Sequence, residues 1–192
     1  MKKIYIVRHG QSKAQTGEQT GFDAGLSSLG RRQAVLLGDA LSTVEFDYAY
    51  ISVLARARET FEASSLQAGR IFFDVNLIEQ MPAFAAAELQ PYEQLPDYGI
   101  LLNEQSFNRS FAERISSFYE QLLNAPDGNY LVVAHMGVVN ALLKMLCNSD
   151  GIFCSDNCGC SLFVIDEDFN SRLCYFNRVA HLERNQLFSV SL

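Results

Sequence analysis

The segment Ile4–Ser12, IYIVRHGQS, decides how the rest of the chain is read. Four apolar residues, Ile4 to Val7, have the length and composition of a buried strand, and they run directly into Arg8, His9 and Gly10. Either the strand simply ends and its charged residues turn to solvent, or it delivers Arg8 and His9 to a catalytic edge. Three residues recur by chance, so the choice rests on what the other strands run into.

Working outward, short apolar runs alternate with helical patterns along the chain, the signature of an α/β fold with a mainly parallel sheet. Strands are predicted at Tyr48–Ser52, Ile71–Val75 and Tyr130–Ala134, followed by Ser161–Ile165 and Leu173–Phe176 as a hairpin around the polar DEDFNS turn. Ser27–Leu41 carries apolar residues at Leu29, Ala34, Leu37 and Leu41 behind Ser27 or Ser28 as cap, the pattern of an amphipathic helix. Arg56–Leu66, Phe107–Leu123 and Val138–Cys147 read as helices too, and the stripe Phe111, Ile115, Phe118, Leu122 reads as core. The stretch Met81–Gln105 differs: it holds three of the four prolines and no Lys or Arg. No repeat or linker divides the chain, so residues 1–192 are expected to form one domain, with a variable specificity segment at about 80–106 as an excursion from it.

Composition narrows the function. The chain has 192 residues, 48% hydrophobic and 19% charged, which suits a globular protein with a substantial core. A net charge of -7 argues against a nucleic-acid partner, because a phosphate backbone asks for a basic stripe. Arg8 and His9 interrupt the only apolar run near the N-terminus, and no stretch approaches the roughly 18 apolar residues of a membrane span. No membrane partner and a cytoplasmic, soluble protein are expected. Cys147, Cys154, Cys158, Cys160 and Cys174 crowd the C-terminal part without a CxxC pair, so reduced thiols in the core are expected rather than a zinc site.

In open α/β sheets, ligands bind outside the carboxyl ends of the strands, which turns the opening question into a test. The second strand runs into SVLARARET, Ser52–Thr60, and the fourth into VVAHMG, Val132–Gly137. An Arg-His pair, an arginine-bearing turn and a second histidine therefore fall at one sheet edge. With LSSLGRRQA at Leu26–Ala34, NLIE at Asn76–Glu79 and VVAHMGVVNALL at Val132–Leu143, these motifs resemble, in order, those of the histidine phosphatase superfamily, which includes the phosphoglycerate-mutase-like enzymes. Each match is soft alone; jointly and in order they are specific.

The resemblance implies a three-layer α/β/α sandwich and a covalent mechanism without cofactor or metal. His9 would attack phosphorus and hold it as phosphohistidine, while Arg8, Arg56 and His135 surround the phosphate oxygens. Guanidinium forks match phosphate geometry and stabilise the transferring charge. Glu79 matches the proton donor, a role that needs burial or a neighbouring charge to raise a carboxyl above the ordinary value of about 4.3. Glu88, in the adjacent variable segment, is the alternative carboxylate. Taken singly, His135 reads as a hydrogen-bonded structural residue and Arg56 as a solvated helix-start cation; the joint pattern favours the phosphate site. Arg58, two residues on, should face elsewhere, and His181 in VAHLE reads as a packing residue.

Departures from the family pattern fall around these groups. Gln11 stands where Glu is common, Gln15 where Asn is common, Met136 where Gly often follows the histidine, and Asn140 where Arg is frequent. Gln15 can still donate to a phosphate oxygen and is kept as a substrate contact. The expected activity is a metal-independent phosphomonoesterase, a histidine acid phosphatase-type hydrolase acting on a small phosphorylated substrate. The absence of Lys and Arg from Ile71 to Asn108 speaks against a phosphoglycerate mutase, which must hold a second anionic group. A catalytically silent phosphate-binding protein is the remaining alternative. Oligomeric state is not legible.

Overall fold

A computed structural model describes residues 1–80, 99–101 and 109–182. Seven strands form one sheet in the order β4-β3-β2-β5-β1-β6-β7. They are β1 Lys2–Arg8, β2 Phe46–Ser52, β3 Ala68–Asp74, β4 Gly99–Leu101, β5 Gly128–Ala134, β6 Cys160–Ile165 and β7 Ser171–Arg178. From β4 to β1 every pairing is parallel, whereas β6 and β7 are antiparallel additions beside β1. The expected mainly parallel α/β sheet is thus the observed one.

The apolar run that opens the chain is buried because it is central: Ile4, Ile6 and Val7 are all 0% exposed, with β5 on one side and β6 on the other. Helices α2, Ser28–Leu41, and α3, Ala55–Ser64, cover one face through Ala34, Leu37, Ala57 and Phe61. Helices α4, Phe111–Asn124, and α5, Met136–Cys147, cover the other through Ile115, Phe118, Leu122 and Leu142. These are the three layers of an α/β/α sandwich. The predicted stripe on α4 is core, and truncating a buried residue such as Phe118 to alanine should cost about 3–5 kcal/mol.

Several boundaries differ from the sequence expectation for local reasons. Helix α4 starts at Phe111 instead of Phe107 because Ser110 caps it: the Ser110 hydroxyl accepts the Glu113 N–H at 3.3 Å, and the Glu113 carboxylate accepts the Ser110 N–H at 2.7 Å. A single helical turn, α1 at Lys13–Thr16, and the short edge strand β4 were not foreseen. The DEDFNS turn does close the β6–β7 hairpin, with Asp166 accepting the N–H groups of Asp168 at 3.0 Å and Asn170 at 2.9 Å. Of the variable segment at about 80–106, residues 81–98 and 102–106 lie outside the described residues, and Glu88 with them.

All five cysteines are free. Cys158 and Cys160 are core residues as expected, but Cys154 and Cys174 are exposed, so the packing account does not extend to them. No helix among the described residues is long and apolar enough to cross a membrane.

Candidate active site

Strands β1 and β5 run parallel with Arg8 opposite Ala134, so the residues that follow, His9 and His135, emerge side by side at the carboxyl edge. Their ring centroids lie 5.1 Å apart. The His9 N–H donates to the Ala134 carbonyl at 2.9 Å, continuing the ladder one residue past the strand. His9 Nδ1 lies 2.7 Å from the Gly10 carbonyl, which can only accept, so the ring proton sits on Nδ1 and the lone pair on Nε2. Arg56 Nε donates to that Nε2 at 3.3 Å. Burial, then Arg56, then Arg8 hold His9 well below the ordinary histidine value, and burial with the same arginines does so for His135. Both rings are therefore neutral, and His9 presents an unprotonated nitrogen framed by cations.

The backbone after His9 is fixed by contact with α2. A Cβ on Gly10 would lie 2.6 Å from the Gly30 carbonyl oxygen, and one on Gly30 would overlap the Gln11 carbonyl. This close approach gives RHG and LSSLG their shared glycines. Gln11 belongs to the same joint: its N–H donates to Gln33 Oε1 at 2.8 Å and its Oε1 accepts from the Ser27 hydroxyl at 2.8 Å. Thr60 on α3 accepts the Gly10 N–H at 2.9 Å, which ties the strand end to the helix that carries Arg56.

Arg8 and Arg56 are 6% and 8% exposed. Arg8 Nη1 donates to the Ser155 carbonyl. Arg56 Nη1 donates to the Phe22 carbonyl at 2.6 Å, its guanidinium carbon sits 5.5 Å from the centre of the Phe22 ring, and Asp23 accepts the first N–H of α3, from Ala55, at 2.6 Å. The loop before α2 is thus stitched to the arginine helix. Arg58 turns away as expected, its Nε donating to the Val53 carbonyl at 2.9 Å.

Glu79 follows β3 and a single 3-10 turn at Val75–Leu77. Its Oε2 accepts the Gly137 N–H at 3.0 Å in the first turn of α5, the helix whose N-cap is His135. A Cβ on Gly137 would overlap Glu79 Oε1, so this glycine makes room for the carboxylate. The negative charge of Glu79 reaches Arg8, where with Asp156 it opposes the downward pull of burial on the guanidinium.

His9, Arg8, Arg56 and Gln15 line one cleft of about 260 Å³, together with Ser12 and Phe22. Gln15 is exposed and its amide is already engaged: Oε1 accepts the Ser12 N–H at 2.9 Å in the cap of α1, and Nε2 donates to Asn157 Oδ1 at 3.1 Å. Hollows of about 280 Å³ beside β7 and about 500 Å³ between the ends of α2 and α3 are as large or larger. The first pairs Arg178 with His181 and the second holds neither residue type, whereas this cleft sets two buried arginines beside a histidine at the strand ends, so charge and not volume marks the site. No three His, Cys, Asp or Glu residues among those described are grouped to hold a metal ion.

Four supporting residues went unread in the sequence. Ser52 Oγ lies 2.7 Å from His135 Nε2, and Asn157 Nδ2 donates to the His9 carbonyl at 2.9 Å. Phe22 stacks on Arg56, and Arg114 of α4 holds the Glu79 turn. Ser52 closes β2 inside SVLARARET, where its place at a strand end is the available signal; Asn157 lies among the C-terminal cysteines with no motif around it.

The model of the histidine phosphatase superfamily (branch 1) matches residues 4–177. A 66-residue stretch, 33% of this chain, is 46% identical to the mitochondrial serine/threonine-protein phosphatase PGAM5 of Xenopus tropicalis, of whose length it covers 23%. The crystal structure of a phosphoserine phosphatase from Entamoeba histolytica in complex with 3-phosphoglyceric acid superposes with TM-score 0.68 at 20% identity, covering 95% of this chain and 100% of that one. A phosphoglycerate mutase from Bacillus anthracis str. Sterne does so with TM-score 0.68 at 21% identity, covering 94% of each. At that identity the likeness speaks to the fold, which phosphatases and a mutase share. The family match over nearly the whole length, with the paired histidines and buried arginines at one sheet edge, means that this chain belongs to the histidine phosphatase superfamily.

Proposed function

We propose that the protein is a metal-independent phosphomonoesterase that hydrolyses a small phosphorylated metabolite through a phosphohistidine on His9. The observation that carries this reading is the state of His9: neutral, with its proton committed to the Gly10 carbonyl and its Nε2 lone pair set beside the Arg56 guanidinium. That is a nucleophile next to a phosphate clamp.

In the first step Nε2 attacks phosphorus as the ester P–O bond breaks, and Glu79 gives its proton to the departing alkoxide. Arg8 and Arg56 neutralise the equatorial oxygens, and Gln15 serves as an outer contact through the amide hydrogen that Asn157 does not take. His135 completes the clamp. With the Ser52 hydroxyl donating to Nε2, neutral His135 carries its proton on Nδ1, the nitrogen with no partner among the described residues. In the second step water attacks phosphorus, Glu79 takes its proton, the P–N bond breaks and inorganic phosphate leaves. A cytoplasmic setting suits the free thiols.

A mutase would have to hold its dephosphorylated intermediate by a second charged group, and Ile71–Asn108 contributes no Lys or Arg to do so. Purified protein should therefore release phosphate from p-nitrophenyl phosphate and from alkyl monoesters in the presence of EDTA, be inhibited by vanadate, and interconvert 2- and 3-phosphoglycerate little or not at all. Absence of all turnover would favour a silent phosphate-binding protein, and efficient interconversion a mutase.

A further inference from the structure

Arg114 is 3% exposed, yet it lies on α4, away from the phosphate cleft, and no carboxylate pairs with it among the described residues. Its guanidinium instead gathers main-chain carbonyls from one turn. Nη1 donates to Val75 at 3.1 Å, Asn76 at 3.1 Å and Ile78 at 2.8 Å, and Nη2 to Glu79 at 3.4 Å. A buried cation is costly, and here four carbonyl dipoles take the place of water around it. The Phe111 ring, its centre 5.5 Å from the guanidinium carbon, packs against the same group.

The turn so gathered ends in Glu79, whose carboxylate is fixed from the opposite side by the Gly137 N–H. The charges of Glu79 and Asp74 both act on Arg114, opposing the downward pull of burial on it. Glu79 is thus held at two points: its main chain by α4, its carboxylate by α5. We propose that Arg114 is a positioning residue for proton transfer, setting the turn that aims Glu79 at the leaving group. This rests on Glu79 being the acid, as argued above. A lysine replaces it only in part, because one ammonium can take up carbonyls that Nη1 holds but has no second nitrogen for the Glu79 carbonyl.

The discriminating readout is leaving-group selectivity in kcat/KM, which reports the steps up to loss of the alcohol. p-Nitrophenolate barely needs a proton; an alkoxide does. Arg114→Lys, checked by circular dichroism to be folded, should lose about tenfold or more on an alkyl phosphate and less than about threefold on p-nitrophenyl phosphate. Inhibition by inorganic phosphate should stay unchanged, since the clamp is untouched. In Glu79→Gln the same selectivity should appear, and adding Arg114→Lys to it should cause no further selective loss. Equal loss on both substrates in Arg114→Lys, or additive losses in the double variant, would overturn the proposal. A Glu79→Gln variant without selectivity would instead remove Glu79 as the acid, a separable failure. Should Arg114→Lys not fold, Phe111→Leu loosens the guanidinium without deleting it and is expected to give a smaller loss of the same kind; no selectivity in that variant would equally count against Arg114.

Discussion

His9, Arg8, Arg56 and His135 are at most 8% exposed and sit directly at the ends of strands or in the first turn of a helix, whereas Glu79 is half-buried at the end of a turn held by two other elements. The clamp is made by topology: parallel β1 and β5 bring two histidines together because their register matches. The acid arm is made by side chains reaching across. Phosphate chemistry, common to every substrate, needs fixed cations in a dry edge. In the proposed mechanism, proton delivery, which differs from one leaving group to the next, falls to the arm adjoining the variable segment.

Damage to the clamp should therefore be severe and indifferent to leaving group, and damage to the arm milder and selective. His9→Ala is expected to reduce turnover by on the order of 10⁴-fold or more on any monoester with the fold intact by circular dichroism. Substantial residual turnover would break the distinction. His135→Ala should cost on the order of 10² to 10³ in kcat/KM, equally for alkyl and p-nitrophenyl esters. A loss confined to alkyl esters would move His135 from the clamp to the acid side.

Ser52→Ala leaves a buried imidazole nitrogen unpaired and should lower kcat/KM about tenfold, again without leaving-group preference. Wild-type rates in this variant would mean that His135 is oriented by its strand alone.

The smallest effect concerns stability at the root of the arm. Asp74 is 0% exposed, and burial raises its carboxyl from 3.8 to about 6, against the opposing pull of the Asn76 hydrogen bonds and Arg114. Between about pH 4 and 6 the folded state holds a proton that the unfolded chain has lost, so this group lowers stability as pH rises through that window. Asp74→Asn removes the penalty while keeping an acceptor for the Asn76 N–H. The variant should be more stable than wild type at pH 7 by on the order of 3 kcal/mol, with the advantage vanishing near pH 4. Melting temperatures across that range test it; a constant difference would contradict it.

The meeting of Arg8, His9, Arg56 and His135 at one sheet edge was legible in the sequence, because central strands deliver the two histidines. Central parallel strands are buried on both faces and read as unbroken apolar runs, so IYIV and LVVA announce where they end and which polar residues follow. The arm was less legible. Arg114 sits beside the apolar stripe of α4, where a charged residue reads as part of a solvated face; only packing of the Glu79 turn against that helix buries it. For Gln15 the sequence offers an amide near the phosphate motif, while its engagement in the cap of α1 and with Asn157 comes only from packing. Strand β4 has three residues inside a proline-containing stretch, too few for any periodicity.

The central claim is that His9 Nε2 carries the phosphoryl group. Rapid mixing with radiolabelled phosphomonoester, an alkaline quench that preserves phosphohistidine, peptide mapping and phosphorus NMR would locate it. The expected result is one acid-labile phosphate per chain on His9, bonded through Nε2, decaying at the rate of phosphate release. Label on another side chain, attachment through Nδ1, or turnover without any phosphoenzyme at short times would contradict the account.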